Sequence, residues 1–455
     1  MSESAPQAPA FVPRKRRGAE LFLLVQSLII GIGAYCAVGL GVEGTIPGDV
    51  YKLGGSLIVL SLITHIVVRR FAPYSDPVLI PCVVGLNGLG LAMIYRIDLA
   101  EGTTLANQQL IWTLVGLLFF IAMMVLIRDH RQLQALTYTF GLAALVLLLL
   151  PLVPGLGVNI NGARIWIRIG PMGFQPGELA KISLVIFFAG YLVVNRDALA
   201  LAGRRFAGID FPRGRDLGPI LVAWMVSLGV LVFQRDLGSS LLFFGLFLVM
   251  LYVATQRPGW LVVGGSIFVA GAYFAYLTFG HVQTRIDGWL DPFSSPAYGQ
   301  IQEAMFGMAY GGLVGRGLGL GDPSMTPYSY SDFIASSIGE ELGLTGMMAI
   351  ILIYGLIVER GLRIALVCRD AFGKLLATGL AVTFALQVFV VIGGVTRLIP
   401  LTGLTTPFMS YGGSSIVANW AIIALLLRIS DQSRRPAPAV TPLQEDDATQ
   451  VVKLK

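Results

Sequence analysis

The sequence predicts an all-α polytopic membrane helix bundle, and three observations carry that prediction. Of the 455 residues, 55% are hydrophobic and only 13% are charged. The mean hydropathy is +0.76, and a soluble domain carries more polar surface than this composition provides. About twelve apolar segments approach the ~20 residues that a helix needs to cross a bilayer.

The basic residues are distributed unevenly among the connections between the predicted spans. This distribution predicts how the chain is oriented in the membrane. Most of the 32 Lys and Arg residues fall in the two tails and in alternate connections, including Arg69–Arg70 and Arg204–Arg205. Cytoplasmic loops carry such an excess of positive charge. We therefore predict a multi-pass plasma membrane protein with both termini cytoplasmic, and the net charge of +6 does not indicate nucleic acid binding. The predicted spans are 20–42, 53–69, 77–95, 109–127, 137–154, 175–194, 217–234, 238–254, 259–279, 336–358, 374–394 and 413–429.

One connection, residues 280–335, is far longer than a link between neighbouring helices needs to be. The predicted orientation makes it extracytoplasmic. It mixes acids, aromatics, glycines and prolines, with an amphipathic piece around Gln300–Tyr310. Structured loops are where functional residues concentrate. We therefore expect the functional site at the outer face of the membrane.

Ionisable side chains open the sixth predicted span, in the stretch QPGELAK from Gln175 to Lys181. Glu178 and Lys181 are three positions apart, so they share one helix face and can form an ion pair. One interpretation is a structural pair that joins helices. The other is the wall of a polar cavity, because ionisable residues within a membrane usually face the bundle interior or water. A single pair can satisfy both.

Two outer connections carry further candidates. Asp236 precedes the eighth predicted span, where it either caps the helix or serves the site, since Asp is a favoured N-cap residue. Arg164 and Arg168 flank Trp166 in the stretch NGARIWIR. The two arginines are either solvated or bind phosphate, which Arg recognises through several donors at once.

The stretch SYSDFIASSIGEELG places three acids on one short segment. Ser337 and Glu340 have the spacing of a capping box, and acids in a first helical turn complement the helix dipole. We therefore assign Glu340 and Glu341 to the helix end. Asp332 lies earlier and is not needed for that cap, so it remains a candidate for chemistry.

The sequence predicts no metal ligands. Cys36, Cys82 and Cys368 lie in or beside apolar runs without metal-ligand spacing, and the three histidines are scattered singly. The glycine-rich run GGLVGRGLGLG lacks the Lys-Ser/Thr pair of a phosphate-binding loop.

Seven stretches together resemble the SEDS family, the RodA/FtsW polymerases of bacterial cell-wall synthesis. They are NGARIWIRIG, FQPGELAK, QRDLGSS, WLDPF, YGQIQEA with GGLVGRGLG, SDFIASSIGEELG and RLIPLTGLTTPFMSYGGSS, in family order over roughly 77–430. The chain departs from the family pattern at Gly177, Arg235, Ser239 and Ser331, without losing an ionisable group. Stretches such as DHRQL and FGKLLA look like the actinobacterial RodA branch.

The resemblance implies a peptidoglycan glycosyltransferase that polymerises lipid II, a disaccharide-peptide on undecaprenyl or decaprenyl pyrophosphate, during cell elongation. The family's essential loop aspartate aligns with Asp332, which we expect to act as general base. The candidate substrate-binding residues are Arg164, Gln175, Glu178, Lys181, Asp236 and Ser410. No cofactor is firmly implied, although a divalent cation could assist. The expected partners are a class B penicillin-binding protein and membrane lipids.

The family core has ten spans, which suggests a division of the chain. Residues 1–19 are predicted to be a disordered basic cytoplasmic tail, and 20–70 to form two accessory transmembrane helices. Residues 71–430 would be the glycosyltransferase core with its loop 280–335, and 431–455 a disordered cytoplasmic tail.

Three other functions stay open from the sequence: a lipid II flippase or transporter, an FtsW-type division polymerase, and a scaffold that docks wall enzymes. A carrier needs its main site near the membrane midplane. A polymerase needs an acid at the outer face, and the long outer loop favours that placement.

Overall fold

The computed structural model describes residues 15–160, 163–170, 172–200, 202–206, 209–212, 229, 234 and 236–436. Helices dominate the described residues, as predicted. In chain order they are α1 (Arg17–Glu43), α2 (Val50–Phe71), α3 (Leu79–Glu101), α4 (Leu105–Leu126), α5 (Gln132–Ala135), α6 (Thr137–Leu149), α7 (Gly177–Ala200), α8 (Leu237–Thr255), α9 (Gly259–Thr278), α10 (Gly280–Leu290), α11 (Gly299–Gly311), α12 (Ile334–Glu341), α13 (Gly343–Val367), α14 (Ala371–Val395) and α15 (Gly413–Arg434).

Short strands interrupt the otherwise all-α architecture. They are β1 (Gly157–Ile160), β2 (Ala163–Ile169), β3 (Met172–Phe174), β4 (Ala202–Phe206) and β5 (Ile209–Pro212). The first three form an antiparallel sheet in the order β1-β2-β3, and the last two form a separate pair. The stretch ARIWIRI of β2 alternates isoleucines with Arg164, Trp166 and Arg168, a pattern that favours a strand over a helix. The sequence analysis assigned this region to loop.

The chain is a multi-pass membrane protein. Nine helices of the described residues are long and apolar enough to cross a membrane: α1, α2, α3, α4, α7 (over Gly177–Asp197), α8, α9, α14 and α15. The other three predicted spans differ for separate reasons. The span at 137–154 is a shorter apolar helix, Thr137–Leu152, and the span at 336–358 is divided between α12 and α13. The span at 217–234 lies almost wholly outside the described residues.

Two predicted boundaries shift at the ends of the described chain. α1 begins at Arg17, within the predicted tail 1–19, and α15 continues to Arg434, within the predicted tail 431–455. Within the second extension, the Asp431 carboxylate accepts a hydrogen bond from the Tyr74 backbone N–H at 2.8 Å. Residues 1–14 and 437–455 lie outside the described residues.

The helices sort into a buried centre and an exposed periphery. Every residue of the apolar window of α15 is buried, and α3 and α14 are largely buried as well. A helix that is apolar on all sides belongs in such a centre. By contrast, α9 buries only Gly259 and Trp260. Its exposed apolar side chains, such as Val269 and Phe274, suit contact with lipid.

The predicted span 336–358 is divided into α12 and α13 at a point where another part of the backbone approaches closely. Gly343, the first residue of α13, has φ +65°, and a Cβ there would lie 2.7 Å from the Leu313 carbonyl oxygen. The glycine-rich stretch 311–321 wraps around this break, because the N–H groups of Arg316 and Gly317 donate to the carbonyls of Glu340 and Glu341 at 3.0 and 2.9 Å. Only glycine adopts this conformation so close to another backbone without strain.

The predicted capping box is wrong, because the two glutamates lie at the last turn of α12. Ser337 is buried mid-helix, where its hydroxyl donates to the Ser329 carbonyl. Glu341 accepts from Arg96 Nε at 2.9 Å and from the Gly319 N–H at 3.0 Å. Glu340 accepts from the Asp322 N–H at 2.6 Å. Both acids therefore fasten the glycine-rich stretch to α12 and do not cap a helix.

We expect Glu341→Gln to lower the stability of the protein. Glutamine keeps an acceptor for the Gly319 N–H but removes the charge facing the buried Arg96, and a hydrogen bond to a charged group contributes about 1.5–3 kcal/mol. Thermal unfolding of the detergent-solubilised protein measures the loss. Glu359→Gln is the control, because its ion pair with Arg363 lies on the surface of α13. Equal stability of the two variants would contradict the buried pair.

Helix α1 packs closely against α3 through small residues. A Cβ on Gly31 would lie 2.9 Å from the Gly88 Cα, and a Cβ on Gly41 would lie 3.0 Å from the Gly319 Cα. Small residues at such crossings let helix backbones approach closely within a membrane. The first helix therefore contacts both α3 and the glycine-rich stretch, although whether residues 20–70 act as an accessory stays a prediction.

We predict that a truncated chain beginning at Phe71 keeps the lipid II polymerisation that the family resemblance implies but unfolds at a lower temperature. The candidate site residues all follow position 71, whereas the truncation exposes the faces of α3 and of stretch 311–321 that contact α1. Polymer formation and thermal unfolding, measured side by side with the full chain, test both halves. A folded, membrane-inserted truncation that makes no polymer would show that the first two helices belong to the catalytic unit.

Candidate active site

Asp332 lies in a tight turn immediately before α12, outside the nine apolar helices of the described chain. Within this turn the Ser331 N–H donates to the Tyr328 carbonyl at 2.9 Å. The segment from 400 to 415 holds the turn from the other side. The Ser410 hydroxyl donates to the Ser331 carbonyl at 2.6 Å, and the Tyr411 N–H donates to the Tyr330 carbonyl at 2.8 Å. The direction of Asp332 is thus set by a segment remote in sequence.

Ser410 is buried and fully engaged with backbone groups. Besides donating to Ser331, its hydroxyl accepts from the Thr406 N–H at 2.8 Å. The Ser410 carbonyl accepts from Gln109 Nε2 at 2.9 Å. These contacts describe a residue that positions the Asp332 turn. The predicted contact of Ser410 with substrate stays a prediction.

Arg285, on α10, is the cation beside Asp332. Its Nη1 donates to the Leu401 carbonyl at 2.8 Å. A Cβ on Gly403 would lie 3.6 Å from Asp332 Oδ2 and 3.7 Å from Arg285 Nη2, so both side chains border the same glycine. The sequence analysis missed Arg285. Its only signal was an isolated arginine in the amphipathic stretch HVQTRIDGWL of the long loop.

Asp236 completes what we call the acid–arginine cluster, formed by Asp236, Arg285 and Asp332. Its carboxylate caps α8 by accepting from the Ser239 N–H at 2.9 Å, which confirms the cap. The same carboxylate interacts electrostatically with Arg285 and with Glu178. Capping and membership of the cluster are therefore compatible.

The charges of the cluster set the proton affinity of Asp332. Burial raises the pKa of its carboxyl to about 6, the Arg285 guanidinium opposes that rise, and the Asp236 carboxylate adds to it. Burial also raises the pKa of Asp236 above its ordinary value. An acid that titrates near neutral pH is suited to accept a proton during a reaction.

Glu178 and Lys181 form the predicted ion pair next to this cluster. Lys181 Nζ lies 2.6 Å from Glu178 Oε2, and both side chains are buried, which confirms the salt bridge. Lys181 also donates to Gln387 Oε1 at 2.7 Å, and Gln387 Nε2 donates to the Thr405 carbonyl at 2.9 Å. The pair on α7 is thereby joined to α14 and to the segment that holds Asp332. Gln387 was missed, although a glutamine inside an apolar span is a recognisable signal.

Two predicted candidates remain, Gln175 and Arg164. Gln175 is buried immediately before α7, and its carbonyl accepts from the Glu178 N–H at 3.2 Å. Arg164 is exposed on β2. No hydrogen bond or ion pair within the described ranges joins Arg164 to the acid–arginine cluster. Its proposed contact with phosphate therefore has no support from the geometry.

Comparison with known proteins identifies the family of this chain. Residues 77–435 match the family model FTSW_RODA_SPOVE, described as a cell cycle protein. The chain belongs to the FtsW/RodA/SpoVE family. All seven candidate residues of this family member lie inside the matched range, and so does Arg285.

Named relatives of this family member fall into two groups. It is 48% identical over 431 residues to the peptidoglycan glycosyltransferase RodA of Mycobacterium tuberculosis strain H37Rv, covering 92% of each chain. It is 33% identical over 371 residues to a probable peptidoglycan glycosyltransferase FtsW of Geobacter metallireducens, covering 79% of this chain and 95% of the other. The predicted actinobacterial RodA branch is thereby confirmed.

The fold of this family member also matches a solved structure. A chain from work described as "Structural coordination of polymerization and crosslinking by a peptidoglycan synthase complex" superposes with a TM-score of 0.66 at 28% identity. The match covers 80% of this chain and 99% of that chain. The similarity therefore extends across the helix bundle.

Proposed function

We propose that this chain polymerises lipid II into glycan strands and that Asp332 is its general base. The chain is a peptidoglycan glycosyltransferase of the RodA type, the class of the mycobacterial relatives that it matches across 92% of their length. The observation that carries the role of Asp332 is its position. A carboxyl with a raised pKa lies outside the nine apolar helices of the described chain, in a turn held by two hydrogen bonds from the segment 400–415.

The proposed reaction joins two lipid-linked sugars. A hydroxyl of the acceptor sugar attacks the anomeric carbon of the donor, and its proton passes to the Asp332 carboxylate. The bond from that carbon to the pyrophosphate oxygen breaks, and the bonding electrons leave with the pyrophosphate. Pyrophosphate is already a good leaving group, so the reaction needs a base more than an acid. We expect inversion, from an α-linked donor to a β-1,4-linked glycan.

Two cations are available for the pyrophosphate in this proposal. Lys181 is held between Glu178 and Gln387, and Arg285 is held by the Leu401 carbonyl. Fixed cations near developing negative charge lower the barrier without reorganisation. Arg285 also opposes the rise in the pKa of Asp332 and so favours its ionised form. Assistance by a divalent cation stays a prediction.

The proposed topology puts the reaction at the outer face of the membrane. We propose twelve spans in all, with both termini cytoplasmic and the loop 280–335 extracytoplasmic. The positions of the acids support this site over that of a carrier. Asp332 lies outside the nine apolar helices of the described chain, and Asp236 is the N-cap residue of α8. A carrier binds its substrate near the midplane.

We propose that a class B penicillin-binding protein supplies the crosslinking activity. The related solved chain belongs to a complex described as coordinating polymerization and crosslinking, and this supports such a partner. The deciding experiment incubates the purified full chain with lipid II, alone and with that partner, and resolves the products by gel electrophoresis. Polymer of many disaccharides supports the proposal. Translocation of lipid II across vesicles without polymer would establish the flippase instead.

The pH dependence of polymerisation tests the environment of Asp332. A base must be deprotonated, so the rate should fall about tenfold per pH unit below its pKa of about 6 and level off above it. Arg285→Gln removes a charge that lowers this pKa. The fall in rate at low pH, the acid limb of the profile, should therefore begin at a higher pH. Asp236→Asn removes a charge that raises this pKa, so the limb should move to lower pH.

The two variants should shift the pH profile in opposite directions, so each serves as a control for the other. Asparagine at position 236 keeps an acceptor for the Ser239 N–H, so the cap of α8 survives. Initial rates across the pH range, with lipid II held at saturation, give the three profiles. Acid limbs that lie at the same pH in the parent and both variants, or that move in the same direction in the two variants, would contradict electrostatic coupling within the acid–arginine cluster.

A further inference from the structure

A second cluster of reactive side chains lies at the opposite end of the helices, remote from the acid–arginine cluster. His130 lies between α4 and α5, Cys368 directly follows α13, and Asp370 directly precedes α14. His130 and Cys368 are buried, with exposed fractions of 1% and 2%. Their separation in the sequence conceals the cluster, because His130 joins the other two only through helix packing.

The three donor atoms already have the spacing of metal ligands. His130 Nε2 lies 3.0 Å from Asp370 Oδ1, Cys368 Sγ lies 3.4 Å from the same oxygen, and all three atoms lie within 4.8 Å of one another. A tetrahedral zinc ion separates its nitrogen, oxygen and sulfur ligands by about 3.3–3.6 Å, as bond lengths near 2.0–2.3 Å require. Small shifts would therefore place an ion between them. Thiolate, imidazole and carboxylate are also the ligands that zinc prefers.

The backbone around the cluster leaves the centre open. A Cβ on Gly373 would collide with His130 Nε2 and lie 2.6 Å from Cys368 Sγ, so glycine preserves the space between these two atoms. The Gly373 N–H donates to Asp370 Oδ2 at 2.6 Å, which caps α14 and leaves Oδ1 directed at the other two donors. One carboxylate thus caps a helix with one oxygen and offers the second as a ligand.

Metal binding through Nε2 of His130 requires the ring proton to lie on Nδ1, whereas the ion-free contact of Nε2 with the Asp370 carboxylate at 3.0 Å uses a proton on Nε2. His130 Nδ1 is buried without a hydrogen bond, and the nearest acid oxygen, Asp129 Oδ1, lies 3.9 Å away. With the ion bound, a proton on Nδ1 would leave the Nε2 lone pair free for the metal and would face Asp129 Oδ1, 3.9 Å away. Outer partners of this kind orient metal-binding histidines.

A cavity of about 440 Å³ gives an ion access to the cluster. Besides the histidine and the aspartate, its lining includes Arg131, Arg369 and Gln432. Arg131 Nε lies 3.5 Å from Asp370 Oδ1, but its side chain is 61% exposed and can turn away. The cavity also leaves a fourth position for water, which completes a tetrahedral set.

We propose that His130, Cys368 and Asp370 bind one zinc ion. A simple ion pair between His130 and Asp370 explains two members of the cluster but not a buried thiol aimed at the same oxygen. Binding converts the Cys368 thiol to thiolate and releases its proton to solvent. The ion would fasten the junction between α13 and α14 to the loop that follows α4. This is a structural site, independent of the polymerisation chemistry.

Metal binding to the purified full chain tests the proposal. The protein is reduced with a phosphine, stripped with a chelator and titrated with Zn²⁺, and the bound metal is then counted by mass spectrometry. Titration with Co²⁺ adds a spectroscopic readout, because a cobalt–thiolate bond absorbs in the near ultraviolet. We expect one equivalent of either metal and a thiolate band with Co²⁺.

Cys368→Ser should abolish the cobalt–thiolate band and weaken Zn²⁺ binding at least tenfold. Cys82→Ser is the matched control, because Cys82 is a free thiol on α3 outside the cluster, and it should change neither readout. Zn²⁺ should also raise the unfolding temperature of the parent chain and of Cys82→Ser, but not of Cys368→Ser. Absence of stoichiometric metal, or equal binding by Cys368→Ser, would overturn the site.

Discussion

Asp332→Asn is expected to abolish glycan polymerisation while the protein stays folded. Asparagine has the shape of aspartate and preserves the turn, but it cannot take the proton from the acceptor hydroxyl. General-base assistance contributes roughly 10²–10⁴-fold to such reactions, so residual polymer should fall by at least two orders of magnitude. Initial rates with purified lipid II, in the presence of the crosslinking partner, measure the loss.

The control for this variant lies in the same loop. Asp322 is exposed ten residues earlier, and its carboxylate accepts from the Ser324 hydroxyl within that loop. Asp322→Asn should therefore polymerise at close to the parental rate. Thermal unfolding and co-purification with the partner should be unchanged in both variants. Near-parental polymerisation by folded Asp332→Asn would remove Asp332 from the chemistry, and loss of folding would assign it a structural role.

Glu178→Ala should produce the second large effect, on stability and activity together. It leaves the Lys181 ammonium buried with only the Gln387 carbonyl oxygen as partner. Breaking a buried ion pair by removing one partner costs about 3–5 kcal/mol of unfolding free energy. Because the pair is joined through Gln387 to Thr405, the same loss should loosen the segment that holds Asp332. Thermal unfolding and polymerisation rate should both decrease.

Two further variants separate charge from packing at this pair. The double variant Glu178→Gln/Lys181→Met removes both charges and keeps similar volume, so its stability should recover much of what Glu178→Ala loses. Asp197→Ala removes the partner of Arg196 on the exposed end of the same helix and should have little effect. A Glu178→Ala protein as stable as Asp197→Ala would contradict a buried, energetically important pair.

Local patterns in the sequence were sufficient for much of this protein. The spans follow from the length of apolar runs, because a helix in lipid must satisfy its own backbone hydrogen bonds. The pairing of Glu178 with Lys181 follows from spacing on one helix turn, and the cap by Asp236 follows from its place before an apolar run. Each of these depends on residues close together in the chain.

The remaining contacts of the candidate site depend on packing between residues that are far apart in the sequence. Arg285 interacts electrostatically with Asp332 because α10 meets the segment 400–415 at Leu401, and Gln387 contacts Lys181 because α14 packs against α7. Glu340 and Glu341 have the spacing of a cap, yet they bind a glycine-rich stretch that returns to α12 from the preceding loop. Residue spacing encodes which side chains share a helix face. It does not encode which helices meet, and that depends on the summed packing of the whole bundle.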